Sequence, residues 1–230
     1  RVAAADLTPL NGTGEGERGD GLLLALARFG AWPCVVLGQD RRDAGRPLNP
    51  AALRTGRRGM RIAAELGLPL VTVVDTAGAE LSVAAENGGL AAEIARSLAD
   101  MVALPTPTVC LLLGMGGGGG ALALVPADRV VAAEHAWLSP LPPEGASVIR
   151  HRTTARAAEM AESQRIGAAQ LLADGIVDRI IPEHDDAADE AEAFCRRAGA
   201  VLAEEIARAS ASGTAGRPAA RAARYRRARP

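Results

Sequence analysis

The sequence predicts an α/β protein in which short strands arrive in pairs ahead of each helix, a ββα spiral rather than one doubly wound sheet. Three observations lead there. Apolar, β-branched runs such as "LPLVTVVDT" (68–76) and "TPTVCLLLGM" (106–115) are short and continuous, as in strands buried on both faces. Helical stretches alternate with them, which points to parallel layers. Strand-like runs also come two at a time, most clearly at 22–29 and 33–40.

In chain order, "LLLALARF" and "PCVVLGQD", split by "GAW", read as a hairpin. "RRDAGRPLN" is a polar connector. The segment 50–67 opens on Pro50 and closes on Gly67, the usual punctuation of a helix. A buried strand follows, then a helix around 84–104 in which Asn87-Gly88-Gly89 marks a bend or the true start. After the strand at 106–115, five glycines, Gly116 to Gly120, open a short helix. "DRVVAAEHAWLSP" supplies one or two short strands, and Glu144 opens a helix at 145–150. Helices are expected at 153–162 and 166–174, a strand at "VDRII", and a helix over 185–209. The expected organisation is one domain over 1–205 and a basic tail over 206–230. The arginine-rich end "RAARYRRARP" reads as a solvated helix end, or as a segment docking on a partner protein or anionic cofactor.

Composition narrows the function. The chain of 230 residues is 48 % hydrophobic and only 2 % aromatic, so its core must be built from Ala, Val, Leu and Ile. A formal net charge of −1 argues against a general nucleic-acid binder. No apolar run approaches the roughly 18 residues of a membrane span, and no signal peptide is visible. Cys34, Cys110 and Cys195 are far apart and fit buried thiols of a reducing, cytoplasmic setting. His135, His151 and His184 lack ligand spacing, so no metal site is expected. Opening on Arg1 suggests a trimmed piece of something longer.

The glycine tract carries the chemistry. A phosphate-binding Walker loop needs Lys-Ser/Thr after its last glycine, and this chain contains no lysine. "GMGGGG" (114–119) nominally matches a dinucleotide fingerprint, but no acidic residue ends a second strand where one is needed. A nucleophile elbow needs Ser, Cys or Thr where Gly118 stands. An oxyanion hole remains: successive peptide N–H groups at a helix N-terminus can converge on one carbonyl oxygen. Tight strand-to-helix packing is the structural alternative. Asp75 is read mainly as a cap of the next turn, Glu86 as a helix-start carboxylate, and His135 as a surface residue. Arg54, Arg57, Arg58 and Arg61, at helical spacing, form a solvated face or a contact for phosphates.

Four motifs in order resemble one family. "LPLVTVVDTAGAE", "AAENGGLAAEIARSLADMVALPTPTVCLLLGMGGGGGALAL", "PADRVVAAEHAWLSPLPPEGASVI" and "AAQLLADGIVDRIIPE" are similar to the α-type, carboxyl-terminal carboxyltransferase half of acetyl-CoA and related acyl-CoA carboxylases, over roughly residues 20–185. The resemblance implies the crotonase-like (ClpP/enoyl-CoA hydratase) spiral. It implies transfer of a carboxyl group from N1-carboxybiotin, carried on a biotin carboxyl carrier protein and not attached to this chain, to an acyl-CoA, acetyl-CoA giving malonyl-CoA first among them. Implied partners are a β-type, amino-terminal carboxyltransferase half, the carrier protein and biotin carboxylase, in a dimer or larger assembly. The family's Ser-Gly-Gly-Ala falls on Gly118, Gly119, Gly120 and Ala121, so the amides of Gly119 and Gly120 would polarise the biotin carbonyl. Gly78, Ala79, Gly117, Gly118, Ala121, Glu144 and Gly145 would line the biotin or substrate site. The sequence departs from the family at Met115 and Gly118, at Ala77, Glu80, Leu81 and Ser82, and at Pro142 in "PPEG". A different crotonase-like acyl-CoA hydratase, isomerase or decarboxylase, or a catalytically silent half, are the alternatives.

Overall fold

The computed structural model describes residues 2–10, 12–16, 21–39, 47–213 and 216–227, with side chains through 225. Asp40, residues 41–46 of the polar connector and 228–230 of the tail lie outside them. The strands are β1 (Ala5–Pro9), β2 (Leu22–Phe29), β3 (Trp32–Gln39), β4 (Leu70–Thr76), β5 (Thr108–Gly117), β6 (Arg129–Ala133), β7 (Trp137–Ser139) and β8 (Arg179–Ile181). The helices are α1 (Pro50–Leu66), α2 (Val83–Asn87), α3 (Leu90–Ala103), α4 (Gly118–Leu122), α5 (Pro143–His151), α6 (Ala157–Ser163), α7 (Ala168–Ala173), α8 (Ala191–Ala211) and α9 (Arg217–Arg227).

The sheet runs β1-β2-β3-β4-β5-β6-β8, antiparallel for the first three and parallel thereafter. Each new parallel strand is added on the same side, so the order never reverses as it would at the switch point of a doubly wound sheet. The winding is a spiral, as expected, but the paired rhythm holds only in part: strands come together before a helix at β1–β3 and β6–β7, while β4, β5 and β8 stand singly. Besides its pairing with β4, β5 pairs with two strands on its other side. Val109 to Leu112 pair with β6, and Met115 to Gly117 pair with β7. The glycine tract therefore begins inside a strand and carries it out of the main layer.

Local signals explain most boundaries. Asn49 caps α1 by accepting the Ala52 N–H at 2.8 Å, and Gly67 ends it in the left-handed region. Gly88 and Gly89 divide the expected helix at 84–104 into α2 and α3, Gly89 standing at φ 80° as the N-cap of α3. The core is aliphatic, and Cys34 and Cys110 are buried in it; burial pushes both thiols up to about 12. β1 was not anticipated. Its "ADLTP" is mostly exposed and lacks an apolar alternation.

Two expectations about arginines are corrected. On α1, Arg57 donates to Asp100 at 2.7 Å and to Glu93 at 3.3 Å, Arg54 lies 3.7 Å from Glu93, and Arg58 donates to the Gly12 carbonyl at 3.1 Å. The buried Glu93 also accepts from Arg96. The first three arginines therefore hold α1 to α3 and to the segment at Gly12; Arg61 alone of the four is exposed. Residue 205 falls within α8, with Glu205 fully buried, and α9 is docked against α3 and the loops that precede β5, β6 and β8. Arg217 and Arg221 are buried and bond Asp128, while Arg224 bonds Asp178. Spacings of four and three put these arginines on one helical face. That face meets the chain's own carboxylates, which overturns the solvated reading for these residues.

Candidate active site

The site is built where β4, β5 and β7 end. Gly117 leaves β5 with φ −91° and ψ 134°, and Gly118 turns into α4 at φ 59°. A side chain at 118 would be strained in that conformation. As residues of the first helical turn, Gly118, Gly119 and Gly120 have amides with no intrahelical acceptor.

The walls explain why glycine recurs. A Cβ on Gly117 would stand 2.2 Å from the Ala77 carbonyl oxygen, a backbone atom that cannot swing away. One on Gly120 would stand 3.0 Å from the Ala79 nitrogen and 3.1 Å from the Gly78 carbonyl carbon. One on Gly119 would meet only the end of the Ile94 side chain, at 3.0 Å. A Cβ at Gly118 would have ordinary room, with the Pro140 oxygen at 3.8 Å and Gly78 Cα at 4.0 Å. The tract is thus gripped between the 77–79 loop and the β7–α5 segment, with the Ile94 side chain against Gly119.

The 77–79 loop has its own scaffolding. Thr76 Oγ1 donates to the Gly78 carbonyl at 2.9 Å and accepts the Gly78 N–H at 3.2 Å. Ala79 bridges Leu48, and the Glu80 N–H donates to the Leu48 carbonyl at 3.0 Å. Ser82 caps α2 by accepting the Ala85 N–H, and its hydroxyl donates to Glu80 at 2.6 Å. The residues by which this loop departs from the family pattern therefore build a capped turn.

The structure brings Gly78, Ala79, Gly117, Gly118, Gly119 and Gly120 together, with Ala121 buried behind them. Glu144 sits exposed in the first turn of α5, and a Cβ on Gly145 would meet Leu141 at 3.2 Å. Both follow the segment that touches Gly118, but no contact joins them to the tract among the described residues. Glu86 lies exposed in α2, whose first turn it occupies. His135 is exposed, its Nδ1 3.3 Å from Glu183. Among the described residues no group of three or more His, Cys, Asp or Glu could hold a metal ion, and no helix is long and apolar enough to cross a membrane. Asp75 was read as a local cap. Its carboxylate instead accepts the Met115 N–H on the neighbouring strand at 3.0 Å. Ile94 and Pro140 were missed as walls; the spacing of Ile94 four residues after buried Leu90 on α3 was the available clue.

Comparison with known proteins identifies the family and the fold. The family model described as acetyl co-enzyme A carboxylase carboxyltransferase-like matches residues 3–229. A probable biotin-dependent acyl-coenzyme A carboxylase beta3 subunit of Mycobacterium tuberculosis is 56 % identical over 229 residues, 99 % of this chain and 46 % of that protein. An acetyl-coenzyme A carboxylase carboxyl transferase subunit alpha of Methylobacterium nodulans is 40 % identical over 210 residues, 87 % of this chain and 66 % of that protein. The chain spans about half the length of the first of these relatives. Among solved structures, a Pseudomonas malonate decarboxylase hetero-tetramer in complex with coenzyme A superposes with TM-score 0.72 at 18 % identity, covering 91 % of this chain and 90 % of that one. The transcarboxylase 12S hexamer gives TM-score 0.69 at 23 % identity, covering 82 % and 37 %. These likenesses establish the crotonase-like spiral. By the match along nearly its whole length, the chain belongs to the acetyl-CoA carboxylase carboxyltransferase-like family.

Proposed function

We propose that this chain is the α-type half of a biotin-dependent acyl-CoA carboxyltransferase, with acetyl-CoA as the leading acceptor and malonyl-CoA as its product. The observation that carries the reading is the pair of first-turn amides at Gly119 and Gly120, at the start of α4, with the Ile94 side chain beside the first and the 78–79 backbone beside the second. Glycine at 117 and 120 lets the tract lie directly against the 77–79 backbone, which any Cβ there would push. Carboxybiotin, when bound, supplies the carboxyl group and a ring nitrogen able to take the α-proton of the acceptor. The chain's own part is to orient a carbonyl oxygen with the two N–H donors and to stabilise the negative charge that develops there. Gly78 and Ala79 pack against α4, and Glu144 and Gly145, in the first turn of α5, follow the segment that touches Gly118. No side-chain base is required of this half.

The second half supplies the acyl-CoA site. Aliphatic residues stand exposed on both segments that flank the tract: Leu81 at 96 % and Val83 at 77 % on one, Ile149 at 67 % on the other, with Leu141 and Val148 beside it. This rim is where the β-type half packs in the proposed dimer or larger assembly. The chain alone is expected to be inactive. Mixed with a β-type half, it should move carboxyl groups from a carboxybiotinylated carrier protein to acetyl-CoA or another acyl-CoA, followed by radiolabel transfer. The pair Leu81→Asp, Ile149→Asp should weaken assembly on the order of a hundredfold in sedimentation, without changing the melting of the free chain. Carboxyl transfer by the free chain, or assembly untouched by both aspartates, would contradict this reading.

A further inference from the structure

β4 and β5 run in register from Leu70↔Thr108 to Val74↔Leu112, then resume at Thr76↔Gly116. Two steps along β4 span four along β5, so Leu113, Gly114 and Met115 bulge from the ladder immediately before the glycine tract. Asp75 stands in that interval. Its Oδ1 accepts the Met115 N–H at 3.0 Å, doing for the bulge what a ladder carbonyl does in regular pairing. Gly114 lies against the same oxygen, where a Cβ would be 2.7 Å from it. On the opposite side, the Asp75 N–H donates to Gln39 Oε1 at 2.6 Å, one residue beyond the last β3–β4 pair at Gly38↔Val73. A row of side-chain contacts thus continues the sheet from β3 to β5 where main-chain pairing fails.

Everything downstream depends on where β5 resumes. Gly116 and Gly117 pair with Leu138 and Ser139 of β7, and the next residue turns into α4. We infer that Asp75 is a positioning residue for the glycine tract: as a hydrogen-bond acceptor for Met115 it fixes the bulge and so aims the Gly119 and Gly120 amides. The inference rests on the proposed carboxyltransferase reading for its catalytic consequence, but its structural content is independent of it. It differs from a cap, which would order only its own turn, and from a base or ligand, which would need the charge.

Those roles separate under three variants. Asp75→Ala removes the acceptor. Asp75→Asn keeps an oxygen that can accept from Met115. Gly114→Ala keeps Asp75 but forces its carboxylate aside. Residue-resolved amide exchange on the chain, and kcat and KM of the enzyme assembled with its partner half, are the readouts. Asp75→Ala and Gly114→Ala should speed exchange across 115–120 while leaving β2 and α1 unchanged. They should lower kcat on the order of a hundredfold, as displaced donors do, at unchanged KM for the acyl-CoA. Asp75→Asn should restore most of both. Unchanged exchange at 115–120 in Asp75→Ala, or Asp75→Asn as impaired as Asp75→Ala, overturns the inference. If Asp75→Ala does not fold, Gly114→Ala and Asp75→Asn decide it by the same criteria. If the assembled wild type moves no carboxyl group, the functional reading fails, and exchange alone decides the positioning role.

Discussion

Gly119→Pro in the assembled enzyme is expected to lower kcat for carboxyl transfer by about 10²–10³-fold, the loss that follows removal of one oxyanion donor. Proline deletes the N–H and fixes φ. Position 119 is in the first helical turn, where the lost donor has no intrahelical acceptor, so the helix itself gives up little. Gly120→Pro should do the same and add strain, because its Cβ position already lies 3.0 Å from the Ala79 nitrogen. Alanine separates donor from space. Gly119→Ala keeps the amide and displaces only the Ile94 side-chain end, so it should be mild; Gly120→Ala must push the 78–79 backbone and should be worse. Acyl-CoA affinity should be unchanged throughout, because the donors act on charge developing in the transition state. A folded Gly119→Pro, Gly120→Pro double variant with wild-type kcat would reduce the tract to a packing device.

The ordering 119 before 120 could not be read from five identical letters. The spiral was legible because it rests on local signals: β-branched runs, Pro50 and Gly67 around α1, and the alternation of strands with helices. The tract was legible as a backbone site because side-chain alternatives were missing from it. What differs between its glycines is the partner each faces: Ala77 for Gly117, Ile94 for Gly119, Gly78 and Ala79 for Gly120. Those partners come from other turns of the spiral. Asp75 shows the same limit. Its place after a strand favours a local cap, and only the β4–β5 register brings it to Met115, forty residues away. The α1 arginines looked like a solvated face because Glu93 and Asp100 lie on a different helix.

The arginines of α9 carry the largest stability prediction. Arg221 is fully buried. Its guanidinium bonds Asp128 through Nε at 2.7 Å and donates to the carbonyls of Met101, Leu104 and Thr106 at the end of α3 and beyond. Asp128 also accepts the Thr108 N–H at 2.9 Å, so the pair fixes the first residue of β5. Arg221→Ala leaves a largely buried carboxylate short of a counter-charge and three carbonyls without this donor. It is expected to cost about 3–5 kcal/mol, a large part of the roughly 5–15 kcal/mol that holds a domain folded. Arg221→Lys should recover little, because an ammonium cannot span the fork. Acid gives an independent test. Burial alone would raise the Asp128 pKa, but Arg221, by hydrogen bond and charge, the Thr108 N–H and Arg217 together hold it below the ordinary carboxylate range. A carboxyl depressed in the folded state stabilises fully above its unfolded pKa of about 3.9 and loses that contribution as pH falls through the folded value. Urea midpoints of the wild type should therefore fall more steeply below about pH 4 than those of Asp128→Asn, which should already be less stable at neutral pH. Equal stability of the two proteins at pH 7, with equal acid slopes, would mean that α9 is not held through Asp128.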